Sequence, residues 1–139
     1  TFSSFLAMCG YSEVITNALI NLGLSPFGFF LVIVALYVFL GMFLEATSIL
    51  ALTVPLLVPA LKPLGWDPIW FGVICVSLME VAAVTPPVGL NIYAVKAAAP
   101  EIDTRTIYVG CLPFWLCNIL AIIIIYFFPQ IALYLPGLM

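Results

Sequence analysis

Long apolar runs, separated by short turn-forming segments, dominate the sequence. Each boundary combines proline with glycine, serine or aspartate, a composition that ends helices and favours turns. The boundaries lie at Gly23–Pro26, Lys62–Pro68 and Ala99–Thr104. The pattern therefore predicts an all-α protein of four helical segments, which we place at residues 1–24, 25–62, 63–100 and 101–139.

The first and last segments are long enough for single membrane-crossing helices. Segment 1–24 holds several polar side chains, namely Ser3, Ser4, Ser12, Glu13, Thr16 and Asn17. Because such side chains are costly against lipid, we expect this helix to face protein. Segment 101–139 has no charged residue after Arg105, and it should form a spanning helix to about residue 128 with a short apolar tail.

The second segment is too long to cross a bilayer once as a straight helix. Its apolar run would form a helix of about 52 Å, whereas the hydrocarbon core is about 30 Å thick. A polar interruption begins at Gly41, where glycine can turn the chain, and Thr47 or Ser48 can cap a new helix near Ile49. The arms would measure about 20 to 27 Å. We therefore predict a re-entrant helical hairpin over residues 25–62.

Proline residues interrupt both inner segments. In the hairpin segment, Pro55 and Pro59 disfavour one long rod. In the third segment, the pair Pro86-Pro87 lacks the N–H groups that a helix interior needs, and Gly89 loosens the chain directly afterwards. We therefore predict a discontinuous transmembrane helix over residues 63–100.

The composition supports a membrane protein. Hydrophobic residues make up 66% of the chain and charged residues 6%, whereas a soluble domain carries about 25% charged residues to face water. Three basic residues stand against six acidic ones, so the chain lacks the basic patch that nucleic-acid binding requires. We expect a multi-pass membrane protein, with the lipid bilayer as its solvent and no nucleic acid as a partner.

The residue types argue against an enzyme. The chain contains no histidine, and its four cysteines show no CxxC spacing, so we interpret them as small buried hydrophobic residues. An intramembrane hydrolase would need a nucleophile with a base, or paired aspartates within the bilayer. Asp67 and Asp103 both fall in loops, so this alternative lacks its chemistry.

Charged residues suggest an orientation. If the hairpin enters and leaves by one face, Lys96 and Arg105 lie on one side of the membrane and Lys62 on the other. Two basic residues against one favour a cytoplasmic location for the loop between residues 96 and 105. The tryptophans can anchor helices at the interface or pack between them; they are Trp66, Trp70 and Trp115.

Interrupted helices at membrane depth suggest a transport site. Broken backbone is tolerated there only when it is buried in protein or lines a cavity. Free carbonyls, such as that of Ala82 before the two prolines, can bind sodium, while N–H groups at a helix start can hold a carboxylate. The alternatives are a kinked, packed helix at Thr85-Pro86 and ordinary interfacial or hydrogen-bonded carboxyls at Glu13, Glu45 and Glu80. A scaffold subunit would have no reason for two consecutive breaks.

A series of short motifs keeps its order and spacing over nearly the whole chain. They are Gly41-Met-Phe-Leu-Glu-Ala-Thr47, Val54-Pro-Leu-Leu-Val-Pro59, Gly65-Trp-Asp-Pro68, Phe71-Gly72, Thr85-Pro-Pro-Val-Gly-Leu-Asn-Ile-Tyr93 and Leu112-Pro-Phe114. Together they resemble the large membrane subunit of the tripartite ATP-independent periplasmic (TRAP) transporters. The resemblance implies an elevator-type secondary transporter built from inverted repeats, with this C-terminal part holding most of the second repeat. It also implies a location in the cytoplasmic membrane of a bacterium or archaeon, and that the chain does not transport alone.

The resemblance implies a sodium site between the hairpin tip and the discontinuous helix. Its candidate ligands are the backbone oxygens of Gly41, Ala82 and Val88, with the backbone or hydroxyl oxygen of Thr85. Ala82 stands where the family motif often has glycine. The vicinity of substrate or ion would include Glu45, where the family frequently has an acid, and Thr47, Ser48, Pro86, Pro87, Gly89 and Asn91.

The function implied by this resemblance is sodium-coupled uptake of an organic acid, such as a C4-dicarboxylate or sialic acid. A periplasmic substrate-binding protein would deliver the acid, and a small membrane subunit and the N-terminal remainder of the large subunit would complete the transporter. Sodium would be the coupling ion, and no other cofactor is expected. The alternative is a sodium/dicarboxylate symporter that works without a binding protein.

Overall fold

The computed structural model describes residues 25–85 and 89–138 of the chain. These residues are helical apart from short turns, which confirms the predicted all-α class. The helices are α1 (Pro26–Gly41), α2 (Ala46–Leu64), α3 (Pro68–Val84), α4 (Leu90–Ala98), α5 (Thr104–Phe127) and α6 (Gln130–Leu133), followed by a 3₁₀ turn (Pro136–Leu138). The helix predicted for residues 1–24 lies outside the described residues.

Local capping explains where the long helices begin. A side-chain oxygen of the preceding residue accepts a backbone N–H of the first turn in α1, α2, α3 and α5. The capping residues are Ser25, Glu45, Asp67 and Asp103. Gly65 caps the C-terminal end of α2. Its left-handed φ of 69° lets the Gly65 and Trp66 N–H groups donate to the Lys62 and Leu61 carbonyl oxygens of the last turn.

The start of α2 differs from the sequence prediction. We expected Thr47 or Ser48 to cap a helix near Ile49, but α2 begins at Ala46 and Glu45 is its cap. The Glu45 carboxylate accepts the Thr47 backbone N–H at 3.1 Å and the Thr47 hydroxyl at 2.6 Å. A carboxylate takes this position because its charge also complements the positive helix start.

Three prolines lie inside α2 without breaking it, which the sequence reasoning did not expect. They are Pro55, Pro59 and Pro63, each four residues from the next. At this spacing the missing N–H bonds fall along one helical face, so the other faces keep the helix continuous. With 19 residues, α2 is about 28 Å long. It is apolar enough to cross a membrane, so length alone does not select a re-entrant arm.

The α1 and α2 helices form an antiparallel hairpin. The Tyr37 hydroxyl and Thr53 Oγ1 lie 2.7 Å apart between the arms, and Thr53 Oγ1 donates to the Ile49 carbonyl oxygen at 2.7 Å. Tyr37 and Thr53 are both buried. At the open end, Trp66 packs against the rings of Phe29 and Phe30. Residues 42–45 therefore form the hairpin tip, and the aromatic end is its base.

The α3 helix is the centre of the described fold, because α1, α2, α4, α5 and α6 all contact it. It carries many of the buried residues, including Trp70, Phe71, Ile74 and Leu78. The α5 helix runs antiparallel to it. The Trp70 indole N–H donates to the Ile125 carbonyl oxygen near the base, at 2.9 Å. The Trp115 indole N–H donates to the Val81 carbonyl oxygen near the end of α3, at 3.3 Å.

Two described helices, α2 and α5, are long and apolar enough to cross a membrane, and α1 and α3 are shorter apolar helices. Large apolar side chains cover the outside of α5; Val109, Leu112, Phe114, Leu120 and Phe127 are all exposed. Such a surface suits lipid or another membrane helix. Among the described cysteines, Cys75 is buried as predicted, Cys111 is half-buried, and Cys117 lies exposed on this outer surface. Cys9 falls outside the described residues.

Candidate ion and substrate site

The hairpin tip lies against the end of α3 at an unusually close contact. A Cβ atom placed on Gly41 would lie 2.3 Å from the Ala82 Cβ, a distance that real side chains do not adopt. The φ angle of Gly41 is not positive, so close approach rather than backbone conformation requires glycine here. Gly41 thus lets the end of α1 contact α3 at Ala82.

The α3 helix ends directly beside this contact. The Thr85 N–H donates to the Ala82 carbonyl oxygen at 3.0 Å in a tightened last turn, and Thr85 itself is extended. Beyond it, Gly89 begins α4 in a left-handed conformation, with φ of 57°. A Cβ on Gly89 would also crowd the Tyr108 hydroxyl and the Val84 carbonyl oxygen. The C-terminal end of α3 and the N-terminal start of α4 therefore both lie near the hairpin tip, and the helix is interrupted between them.

We call the interruption between α3 and α4 the break. Its depth in the membrane can be estimated from its position along α5. Trp115 contacts the end of α3 and is the twelfth of the 24 residues of α5. At about 1.5 Å per residue, α5 is about 36 Å long, enough to cross a bilayer. The end of α3 is therefore level with the middle of a helix that can span the membrane.

A cavity of about 340 Å³ lies between the hairpin tip and the two helices on either side of the break, α3 and α4. Its charged and amide-bearing lining residues are Glu45 from the tip, Glu80 from α3 and Asn91 from α4. The remaining lining residues are Gly41, Leu44, Ala46, Ile49, Met79, Ala83, Leu90 and Ala94. Two carboxylates without a basic side chain in the lining favour a cation.

Residues 1–131 match the family model described as the DctM component of the tripartite ATP-independent periplasmic transporters. The chain belongs to this family. The three relatives described next are transporter permeases and not enzymes, as the residue types predicted.

Three relatives illustrate the range of TRAP permeases that this chain resembles. It is 34% identical over 139 residues to the C4-dicarboxylate TRAP transporter large permease protein DctM of Rhodobacter capsulatus, covering 99% of this chain and 31% of that protein. It is 32% identical over 126 residues to the sialic acid TRAP transporter large permease protein SiaM of Vibrio cholerae, covering 91% and 29%. It is 28% identical over 138 residues to the ectoine/5-hydroxyectoine TRAP transporter large permease protein UehC of Ruegeria pomeroyi, covering 99% of this chain and 32% of that protein. The chain thus spans about a third of these permeases.

The structure of this TRAP permease segment brings several of the predicted site residues together. Gly41, Glu45 and Asn91 line the cavity, and Ala82 lies against Gly41. Glu80 also lines the cavity, although the sequence reasoning left it outside the candidate set. The signal available was a carboxyl five residues before Thr85, on the same helical segment.

Other predicted residues lie elsewhere. Thr47 bonds to Glu45, and the Ser48 N–H donates to the Glu45 carbonyl oxygen at 3.1 Å in the first turn of α2. The Thr85 hydroxyl donates to the Val81 carbonyl oxygen of the same helix, α3, at 2.7 Å, and it accepts the Trp115 indole N–H of α5 at 3.3 Å. Gly89 is buried at the start of α4. The predictions for Pro86, Pro87 and Val88 lie outside the described residues.

The carbonyls at the end of α3 differ from the sequence prediction. The Ala82 carbonyl oxygen was expected to lack a helical partner, but it accepts the Thr85 N–H in the tightened last turn. A carbonyl oxygen has two lone pairs, so Ala82 keeps one for another donor or a cation. At the facing helix start, no side chain caps α4, and the Ile92 N–H donates to the Gly89 carbonyl oxygen at 2.8 Å. A helix start is positive, so this end of α4 suits an anionic group.

Proposed function

We propose that this chain is part of the large membrane subunit of a TRAP transporter that uses a sodium gradient to take up an organic acid. The observation that carries the proposal is the contact of Gly41 with Ala82 at the end of α3, beside a cavity with two carboxylates. A hairpin tip that closes on interrupted helices near the bilayer middle is the arrangement that secondary transporters use for coupling ions and substrates.

Sodium is the cation that this geometry supports best. Helix-end carbonyl oxygens are hard ligands that suit small hard cations, and nearby carboxylates add favourable charge. We propose the backbone oxygens of Gly41, Ala82 and Val88 and an oxygen of Thr85 as ligands. Glu45 and Glu80 contribute to the negative potential around them without binding the ion directly.

The substrate class follows from the relatives and from α4. The substrates named for the three relatives are C4-dicarboxylates, sialic acid and ectoines, all of which carry a carboxylate. The uncapped N-terminus of α4 offers backbone N–H groups and a positive helix end to such a group. We propose that Asn91, at this helix start, contributes to substrate or ion binding beside the cavity.

The complete transporter requires further chains. We propose that a periplasmic binding protein delivers the acid, that a small membrane subunit is associated, and that an inverted first repeat lies in the rest of the large subunit. The assembly works as an elevator in the cytoplasmic membrane. The family match favours this tripartite arrangement over a symporter without a binding protein.

The proposal is tested by uptake into liposomes that contain the complete large and small subunits. Purified binding protein loaded with labelled C4-dicarboxylate or sialic acid is added outside, and an inward sodium gradient is imposed. Uptake should follow the gradient and require no ATP. Equal uptake with potassium replacing sodium on both sides would contradict sodium coupling.

A further inference from the structure

Two tryptophans connect α3 to α5 through the same type of hydrogen bond at different depths. The Trp70 indole N–H donates to the Ile125 carbonyl oxygen at the base of the fold. The Trp115 indole N–H lies 3.3 Å from both the Val81 carbonyl oxygen and Thr85 Oγ1, at the end of α3. Only the Trp115 bond reaches residues beside the break. The Trp70 bond therefore serves as a control of the same chemistry at a different place.

The end of α3 depends on side chains to satisfy its backbone. In a regular helix the Val81 carbonyl would accept the N–H of Thr85, but that N–H bonds to the Ala82 carbonyl instead. The Val81 carbonyl accepts the Thr85 hydroxyl at 2.7 Å and the Trp115 indole. The indole N–H is therefore part of the cap that replaces a main-chain bond at this helix end.

On the α5 side, the packing around this helix end is incomplete. An open groove of about 280 Å³ lies beside it, lined by Val84, Thr85, Tyr108, Val109, Leu112 and Trp115. Fewer atoms surround the helix end on this side, so the hydrogen bonds to Trp115 contribute more to its position. On the other side, Ala82 is in contact with Gly41 of the hairpin tip.

We propose that Trp115 is a positioning residue for the cation site at the break. Its indole N–H holds the Val81 carbonyl and the Thr85 hydroxyl, and this fixes the neighbouring Ala82, whose backbone lies against Gly41 of the hairpin tip. The inference rests on the proposed sodium site and adds a residue of α5 to its support. Trp115 does not touch the ion.

The test compares Trp115→Phe with Trp70→Phe in the complete reconstituted transporter. Both changes keep an aromatic ring and remove one indole donor between the same two helices. Trp115→Phe should raise the sodium concentration for half-maximal uptake about three- to ten-fold, the effect of losing one membrane hydrogen bond. Trp70→Phe should leave this concentration unchanged. Equal sodium dependence of the two variants would overturn the proposal.

A second readout separates positioning from general stability. The rise in melting temperature on adding sodium to the detergent-solubilised complex should be smaller for Trp115→Phe than for Trp70→Phe, measured from each variant's own sodium-free value. If Trp115→Phe does not assemble, 3-benzothienylalanine at position 115 replaces the N–H by sulfur and keeps the ring size. Wild-type sodium dependence of that variant would also overturn the proposal. A wild-type transporter insensitive to sodium would instead reject the proposed function itself.

Discussion

At Gly41, a single missing methyl group decides how closely the hairpin tip approaches α3. Gly41→Ala would place a Cβ 2.3 Å from the Ala82 Cβ, so either the tip or α3 must move. Overpacking of this kind costs about 1–3 kcal/mol. We expect the half-maximal sodium concentration for uptake to rise by about ten-fold or more, or uptake to stop.

Two further variants make this prediction specific. Gly72→Ala changes a glycine near the base end of α3, where nothing lies within 4 Å of the new Cβ, and uptake should be unchanged. Gly41→Ala combined with Ala82→Gly removes the clashing methyl group and should restore much of the sodium dependence. Failure of the double variant to improve on Gly41→Ala would show that the contact is not the cause.

Thr85 should act through sodium affinity rather than through folding. Its hydroxyl donates to the Val81 carbonyl and lies 3.3 Å from the Trp115 indole nitrogen, so it helps to hold the end of α3. Thr85→Ala should raise the half-maximal sodium concentration for uptake while the purified complex stays monodisperse. Thr85→Ser keeps the hydroxyl and should resemble the wild type. An alanine variant with unchanged sodium dependence would leave Thr85 as a cap of a kinked helix.

Residues with strong local effects were the predictable part of the candidate site. Glycine and proline act on their own backbone, so the region around Gly41 and the stretch before Pro86 could be recognised from the sequence. Glu80 and Trp115 could not be placed in the same way. Their roles depend on which helices meet at the end of α3, and one sequence does not specify those contacts.

At the scale of elements, the hairpin is held by a buried polar pair between its arms. Tyr37→Phe removes the hydroxyl that lies 2.7 Å from Thr53 Oγ1. Inside a membrane protein such a bond contributes about 0.6 to 1.7 kcal/mol. We expect a lower melting temperature of the purified complex. Tyr126→Phe, in the aromatic cluster at the base, serves as the control and should have a smaller effect.

The α2 helix shows why element boundaries were harder to predict than element types. Pro55 and Pro59 suggested interruption, yet these prolines and Pro63 are spaced by four residues, which confines the lost bonds to one face. The cap moved to Glu45 because a carboxylate competes well with Thr47 and Ser48 at a helix start. Both corrections concern local alternatives of similar energy, so the helix boundaries were less predictable than the helices themselves.

At the scale of the whole molecule, the described part of the fold has two opposite ends. The hairpin base and α6 lie at one end, and the loop between α4 and α5 lies at the other. Single cysteines at positions 62 and 105 in a cysteine-free background should therefore label from opposite sides, 62 from the periplasm and 105 from the cytoplasm. Labelling of both from one side would reverse the assignment of the hairpin and the discontinuous helix.

In the proposed function, sodium binds where the hairpin tip meets the break between α3 and α4. Ala83 and Ala94 line the cavity from α3 and α4, and each can be replaced by cysteine at small cost in volume. Ala98→Cys, one turn further along α4 and outside the cavity lining, is the matched control.

The most direct measurement is the rate at which a hydrophilic thiol reagent modifies these cysteines in the complete, otherwise cysteine-free transporter, with sodium or with an equal concentration of potassium. Sodium should slow modification at positions 83 and 94 and leave position 98 unchanged. Equal rates in sodium and potassium at positions 83 and 94, or equal slowing at all three positions, would contradict a sodium site at the tip and break.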